Sequence, residues 1–275
     1  MEIYAAVVAV FVFIFGLIIG SFLNVVIYRY GSGMYITGRS KCLSCGKTLA
    51  ALMLIPLFSF LFMKGRCGYC RAKLSFQYPL VEAAAGFLFV IIAHKNGLFA
   101  ADVTLQNISI FAAEIAIWST LLVITVYDLR HRIIPDLFSF AFALLAGIVL
   151  LLKSSWGMVS LPYLPFLDGV PTWINAAGGP LLALPFALLW FFSGGRGMGL
   201  GDAKLAWGMG WFLGFAGGVT AAILSFWIAF FPSLLLLLVR GKHFTMKSEI
   251  PFAPFLIIGT LIVYALDIDI LSWTF

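Results

Sequence analysis

Two aspartates carry the chemistry that this sequence suggests. Asp202 ends the run GGRGMGLGD, follows Gly199 and Gly201, and opens an apolar segment. A carboxylate is costly beside or inside a bilayer, so function is its first explanation. Asp128, in VYDLRHRIIPD, closes another apolar segment. Hydrolysis of a peptide by two carboxylates needs one ionised to activate water and one protonated to polarise the carbonyl. Close apposition forces that sharing of a proton, and the pair then titrates as a unit. Gly199 and Gly201 suit such a site, because a chain without Cβ atoms lets a substrate backbone or a partner helix approach closely. Each aspartate also has a structural explanation. Asp202 stands where a helix N-cap would, and Asp128 has Arg130, His131 and Arg132 nearby as ion-pair partners. Two such acids at one membrane face favour catalysis over both explanations.

All four cysteines lie together, as CLSC (Cys42, Cys45) and CGYC (Cys67, Cys70), with 21 residues between the pairs. Each pair can present two thiolates from one tight turn, and two such turns complete the tetrahedron of a zinc site. Gly46 and Gly68 are expected to support the turns. Disulfides are the first rival, but cytosolic thiols stay reduced. A redox CxxC is the second, but no βαβ pattern surrounds either pair. Four thiolates fill the coordination shell, so the zinc should be structural and should not activate water.

These groups need a scaffold, and composition says what kind. With 63% hydrophobic and 10% charged residues and a mean hydropathy of +1.10, the chain is predicted to be an all-α integral membrane protein. A span needs about 20 apolar residues. About eight candidates run from Ala5 to Ile27, Tyr78 to Ala93, Ile108 to Tyr127, Leu137 to Leu152, Trp173 to Phe192, Ala203 to Phe215, Gly218 to Val239 and Phe252 to Leu266. The first lacks the basic start and cleavage site of a signal peptide, so it is expected to persist as a helix. All of the 17 basic residues except Lys95 and Lys153 fall in alternate loops. By the positive-inside rule those loops are cytoplasmic, including the cysteine loop and the turns at Arg130, Arg196 and Arg240, and both termini lie outside. Loops at Asn96 and Asp168 should then face outward. The net charge of +6 reports topology and contact with anionic lipid, not nucleic-acid binding.

The third segment then ends, and the sixth begins, at the cytoplasmic face, which brings Asp128 and Asp202 to one depth. Residues 48–63, TLAALMLIPLFSFLFM, are apolar, but a span there would put the two CxxC pairs on opposite sides. They are therefore assigned to the membrane surface or the helix bundle, interrupted at Pro56. The glycines from Gly194 to Gly201 lack G-x-G-x-x-G spacing and follow no strand, so they do not form a nucleotide loop. Glu82 has two readings: support for the active site, or an interfacial acid paired with a base such as Lys73. Glu114 and Asn24 read as interhelical hydrogen-bonding groups, and Gly16 with Gly20 as a close helix crossing. Asp136 is expected to cap the segment after Pro135.

Taken together the motifs GSFLNVVIYR (Gly20 to Arg29), CxxC with CxxC, YPLVE (Tyr78 to Glu82), DLRHRIIPD, GMGLGDAKL (Gly197 to Leu205) and IPFAPFL resemble the type IV prepilin peptidases. The likeness covers nearly the whole chain. It implies a bacterial inner-membrane enzyme that removes leader peptides from prepilins or pseudopilins and methylates the new N-terminus. Asp128 and Asp202 would be its catalytic pair, the cysteines would hold zinc, and S-adenosylmethionine would donate the methyl group. The implied organisation is a first helix over 1–27, a zinc-binding loop over 28–77 and a peptidase core over 78–275. Gln77 departs from a common Arg, and Ala253 from a common Gly, of that family. Two alternatives remain at this point. A transporter or channel would explain intramembrane acids but not the zinc loop, and no second copy of the GxGD segment suggests an inverted repeat. In a zinc-anchored assembly factor the aspartates would be dispensable.

Overall fold

The computed structural model of the chain describes residues 2–100, 102–155, 172–239 and 251–268. The expected outer loop at Asp168 and the expected cytoplasmic turn at Arg240 lie outside the described residues. Within them the regular elements are all helical, apart from two isolated β-bridges. The helices are α1 (Glu2–Arg29), a 3-10 turn (Ala51–Leu54), α2 (Phe58–Phe62), α3 (Gln77–Lys95), α4 (Leu105–His131), α5 (Asp136–Ser155), α6 (Thr172–Ser193), α7 (Leu200–Val239) and α8 (Ala253–Leu266). Six of them are long and apolar enough to cross a membrane. The expected segments coincide with α1, α3, α4, α5, α6 and α8, while α7 takes in two of them. Residues 48–63 hold only the 3-10 turn and α2, both too short to span, on either side of Pro56.

The chain divides into two compact units, Met1–Val123 and Ile124–Phe275. In the first, α1 crosses α3 through small residues, as membrane helices do where no water drives association. A Cβ on Gly16 would lie 2.7 Å from the carbonyl oxygen of Ala85, and one on Gly20 would lie 2.7 Å from Cα of Glu82. The GxxxG pair therefore packs within the chain. Polar groups bind the same crossing: the Asn24 amide donates to the carbonyls of Gly20 and Tyr78, and its oxygen accepts from Gln77. At the other end of α3, Asn96 donates to Glu114 of α4 at 2.6 Å, the interhelical bond expected of that buried acid.

The second unit is built around a reversal inside α7. Gly214 has φ 76° and ψ 170°, a region that only glycine enters without strain. A Cβ on Gly218 would lie 3.3 Å from Cα of Gly210, whereas eight residues of straight helix cover about 12 Å. The helix therefore doubles back at Gly214 into two arms, which is why two apolar segments appear in the sequence. Gly178 and Gly179 of α6 fit against Gly210 and Trp211, and the Trp211 indole donates to the Ala176 carbonyl at 2.8 Å. Gly259 of α8 meets Ala221 and Ser225 of the second arm just as closely.

Candidate active site and metal centre

Asp128 and Asp202 come together in the second unit. Asp128 lies in the last turn of α4 and is 4% exposed; Asp202 lies in the first turn of α7 and is 6% exposed. Their carboxylates are near enough to repel one another electrostatically. Each is held in the same manner. One oxygen of Asp128 accepts from the backbone N–H of Ala253, the first residue of α8, and its Oδ2 has no partner among the described residues. The Asp202 carboxylate accepts from the backbone N–H of Gly199, and its Oδ1 has no partner among the described residues. A buried carboxylate oxygen without a hydrogen bond is costly, by about 1–3 kcal/mol or more. Such atoms point to water or substrate as their natural partner.

The structural explanations of the two aspartates fare differently. Asp128 makes no ion pair with Arg130, His131 or Arg132; His131 instead lies against Tyr127, with ring planes tilted by 35° and centroids 4.4 Å apart. Asp202 is not the N-cap. α7 begins at Leu200, so Asp202 is its third residue and reaches back to the N–H of Gly199, as the acid of a capping box does. That bond uses one oxygen only. Asp136, expected as a cap, is the first residue of α5 and pairs with Lys204 at 2.6 Å. Lys204 is thereby turned to Asp136 although it stands two residues from Asp202.

The two glycines have separate tasks. A Cβ on Gly201 would come within 2.8 Å of Ile134, so Gly201 lets the start of α7 press against the α4–α5 connection. A Cβ on Gly199 would make only ordinary contacts, with the Asp202 carboxylate at 3.5 Å and the Gly201 backbone nitrogen at 3.9 Å. The role of Ala253 was not foreseen. Pro254 marks a helix start in the sequence, but nothing local says that the first N–H of that helix is spent on Asp128.

In the first unit the four cysteine sulfurs lie within 4.8 Å of one another, with Cys42 and Cys70 3.8 Å apart. Four sulfurs about 2.3 Å from a tetrahedral zinc stand about 3.8 Å from each other. The set fits such an ion, and all four cysteines are free of disulfides. Two matching turns build it. Cys42 N–H donates to the Lys47 carbonyl and Cys67 N–H to that of Ala72, and the bridges Lys41 with Thr48 and Arg66 with Lys73 close each turn. The backbone N–H groups of Cys45 and then Ser44 aim at the Cys42 sulfur and hold its thiol down to about 6, which favours the thiolate a metal binds. Gly46 takes the left-handed conformation (φ 70°) as expected, but its counterpart in the second turn is Arg71 (φ 60°). Gly68 instead gives room to the Met53 side chain, whose terminal methyl would lie 2.7 Å from a Cβ there.

Glu82, on α3 of this unit, is 7% exposed and accepts from the backbone N–H of Leu57 at 2.9 Å and from the Ser21 hydroxyl. It makes no ion pair with Lys73. Leu57 has φ 60°, so Glu82 fixes a turn that an aliphatic residue adopts reluctantly.

Comparison with known proteins gives one answer. The family described as Bacterial Peptidase A24 N-terminal domain matches residues 14–96, and the Type IV leader peptidase family matches residues 115–239. A prepilin leader peptidase/N-methyltransferase of Aeromonas hydrophila is 33% identical, covering 95% of this chain and 92% of its own length. Its namesake from Bacillus subtilis (strain 168) is 31% identical and is covered over 95% of each chain. One from Myxococcus xanthus (strain DK1622) reaches 46%, over 32% of this chain. No solved structure matches the chain.

Proposed function

The chain belongs to the type IV leader peptidase family, and on that premise we propose that it cleaves prepilin or pseudopilin leaders with Asp128 and Asp202 and methylates the N-terminus it exposes. The observation that carries the peptidase assignment is the shared arrangement of the two carboxylates. Each has one oxygen anchored by a backbone N–H, and each leaves one buried oxygen unpartnered among the described residues.

Two acids so held can share one proton. The ionised member takes a proton from a water between them, and the hydroxide attacks the scissile carbonyl, whose oxygen is polarised by the protonated member. The tetrahedral intermediate collapses as a proton passes to the leaving nitrogen. The site then holds one proton again. Anchoring from Gly199 and Ala253 keeps the free oxygens in place without a change of side-chain conformation during turnover.

The transporter or channel alternative is not favoured, because the relatives are named as enzymes over nearly the whole chain. We assign the cysteine set to one structural zinc, and the protein to the bacterial inner membrane with the site at the cytoplasmic face. There a basic leader would remain in the cytosol while the hydrophobic pilin segment stays in the bilayer. S-Adenosylmethionine would supply an electrophilic methyl group for the released amine.

The test is direct. The purified chain in lipid nanodiscs is incubated with a prepilin and S-adenosylmethionine, and the product is read by intact mass and N-terminal fragmentation. Loss of the leader with one added methyl is expected. An uncut prepilin would remove the peptidase assignment, and a cut but unmethylated product would remove the transferase.

A further inference from the structure

The segments that carry Asp128 and Asp202 are joined a second time, by an ion pair. Asp128 lies in the last turn of α4 and Asp136 opens α5, with only residues 132–135 between the two helices. That corner is tightly made. Arg132 takes the left-handed conformation (φ 55°), and its N–H donates to the Asp128 carbonyl at 2.8 Å. Pro135 is buried, and the buried Ser139 hydroxyl donates to the Asp136 carbonyl at 3.0 Å. A pull on Asp136 is therefore passed to Asp128. Asp202 and Lys204 both stand at the start of α7, and the Lys204 ammonium donates to the Asp136 carboxylate at 2.6 Å.

We infer that Asp136 and Lys204 are a positioning pair for leader cleavage, which draws the α4–α5 corner and the start of α7 together and so keeps Asp128 and Asp202 close enough to share a proton. The inference rests on the peptidase reading above. Two carboxylates repel whenever both are ionised, and that force parts the corner from the helix. The attraction between Asp136 and Lys204 acts between the same two segments with the opposite sign.

Other tasks fit the pair less well. Its side chains are 40% exposed at Lys204 and 79% exposed at Asp136, and an ion pair so open to water adds little to stability. Residues two apart on a helix do not share a face, so Lys204 is badly placed to neutralise Asp202. Positioning, by contrast, needs only a small force, because a displacement of about 1 Å at the reacting groups can cost about 10²-fold in rate.

The test uses the full chain in nanodiscs with a prepilin, and kcat and KM are measured for Asp136→Asn, for Lys204→Gln and for the exchange of Asp136→Lys with Lys204→Asp. Each single variant should lower kcat at least about tenfold and change KM less than about twofold, as for lost orientation of reacting groups. The exchange restores the attraction with its charges transposed, and kcat should return to within about threefold of the unaltered chain. Thermal midpoints in detergent should not differ. Unaltered kcat in the single variants, or an exchange no more active than they are, would overturn the inference. A raised KM at constant kcat would also overturn it and make the pair a leader-binding site, and a lowered midpoint that tracked the loss of activity would make it a general fold contact. No cleavage by the unaltered chain would overturn the peptidase reading and this inference with it.

Discussion

The carboxylate of Asp128 accepts a hydrogen bond from the backbone N–H of Ala253, so the last turn of α4 is fastened to the first turn of α8. An aspartate with this bond has a structural task in addition to any chemical one. The first prediction separates the two.

Asp128→Asn and Asp202→Asn keep a side-chain oxygen that can accept from Ala253 and from Gly199, so both variants should insert and fold. Neither amide can serve as the base or share a proton, and cleavage should fall by about 10³-fold or more. A gel-shift assay of prepilin processing measures this. Processing by either variant at near the unaltered rate would exclude that residue from the mechanism.

Gly214→Ala should destabilise the second unit by about 1–3 kcal/mol, because φ 76° with ψ 170° is closed to a residue with a Cβ. Thermal unfolding in detergent would show a lowered midpoint. An unchanged midpoint would mean that α7 does not reverse at this residue.

The metal prediction concerns stoichiometry. Elemental analysis should find about one zinc per chain, and Cys42→Ser with Cys67→Ser should reduce it below about a tenth of that, since each turn loses a thiolate. Full zinc retention in the double variant would show that the two turns do not share one ion.

Glu82→Ala removes the acceptor for the Leu57 N–H and leaves a strained turn unsupported, at a cost of about 1–3 kcal/mol. Limited proteolysis should cut residues 57–63 faster in this variant than in the unaltered chain. Equal cutting would show that the turn is held by other contacts.

Topology can be tested with single cysteines in a background lacking the native four. Position 96 should react with an impermeant maleimide on intact cells, and positions 130 and 196 only after the membrane is opened. If 196 reacted from outside and 130 did not, the two carboxylates would lie on opposite faces and the shared-proton mechanism would fail.

The elements that sequence made legible are those with local signatures. Apolar length gave the spans, CxxC spacing gave the cysteine set, and an acid at each of two segment ends gave Asp128 and Asp202. Three features were not legible, because they depend on partners distant in the chain. The anchor for Asp128 is a main-chain N–H of Ala253, and a main-chain donor has no residue type to reveal it. Glu82 invited a lysine partner by charge, but the fold offered it the N–H of Leu57. The second cysteine turn has a glycine at Gly68, yet the left-handed residue is Arg71, since turn geometry is set by position relative to Cys67 rather than by where a glycine occurs.

The reversal at Gly214 also has a consequence for the surrounding lipid. The first arm of α7, Leu200–Leu213, and the 14-residue α8 each extend about 21 Å, some 9 Å less than a hydrocarbon core of about 30 Å. These two short helices carry Asp202 and Ala253 at their N-terminal ends. Bilayer thickness should therefore bear on the site, because shorter acyl chains relieve hydrophobic mismatch at the helices that hold both carboxylates. Turnover should rise as the nanodisc lipid is shortened and fall as it is lengthened, which makes membrane composition a control on leader removal in its own right.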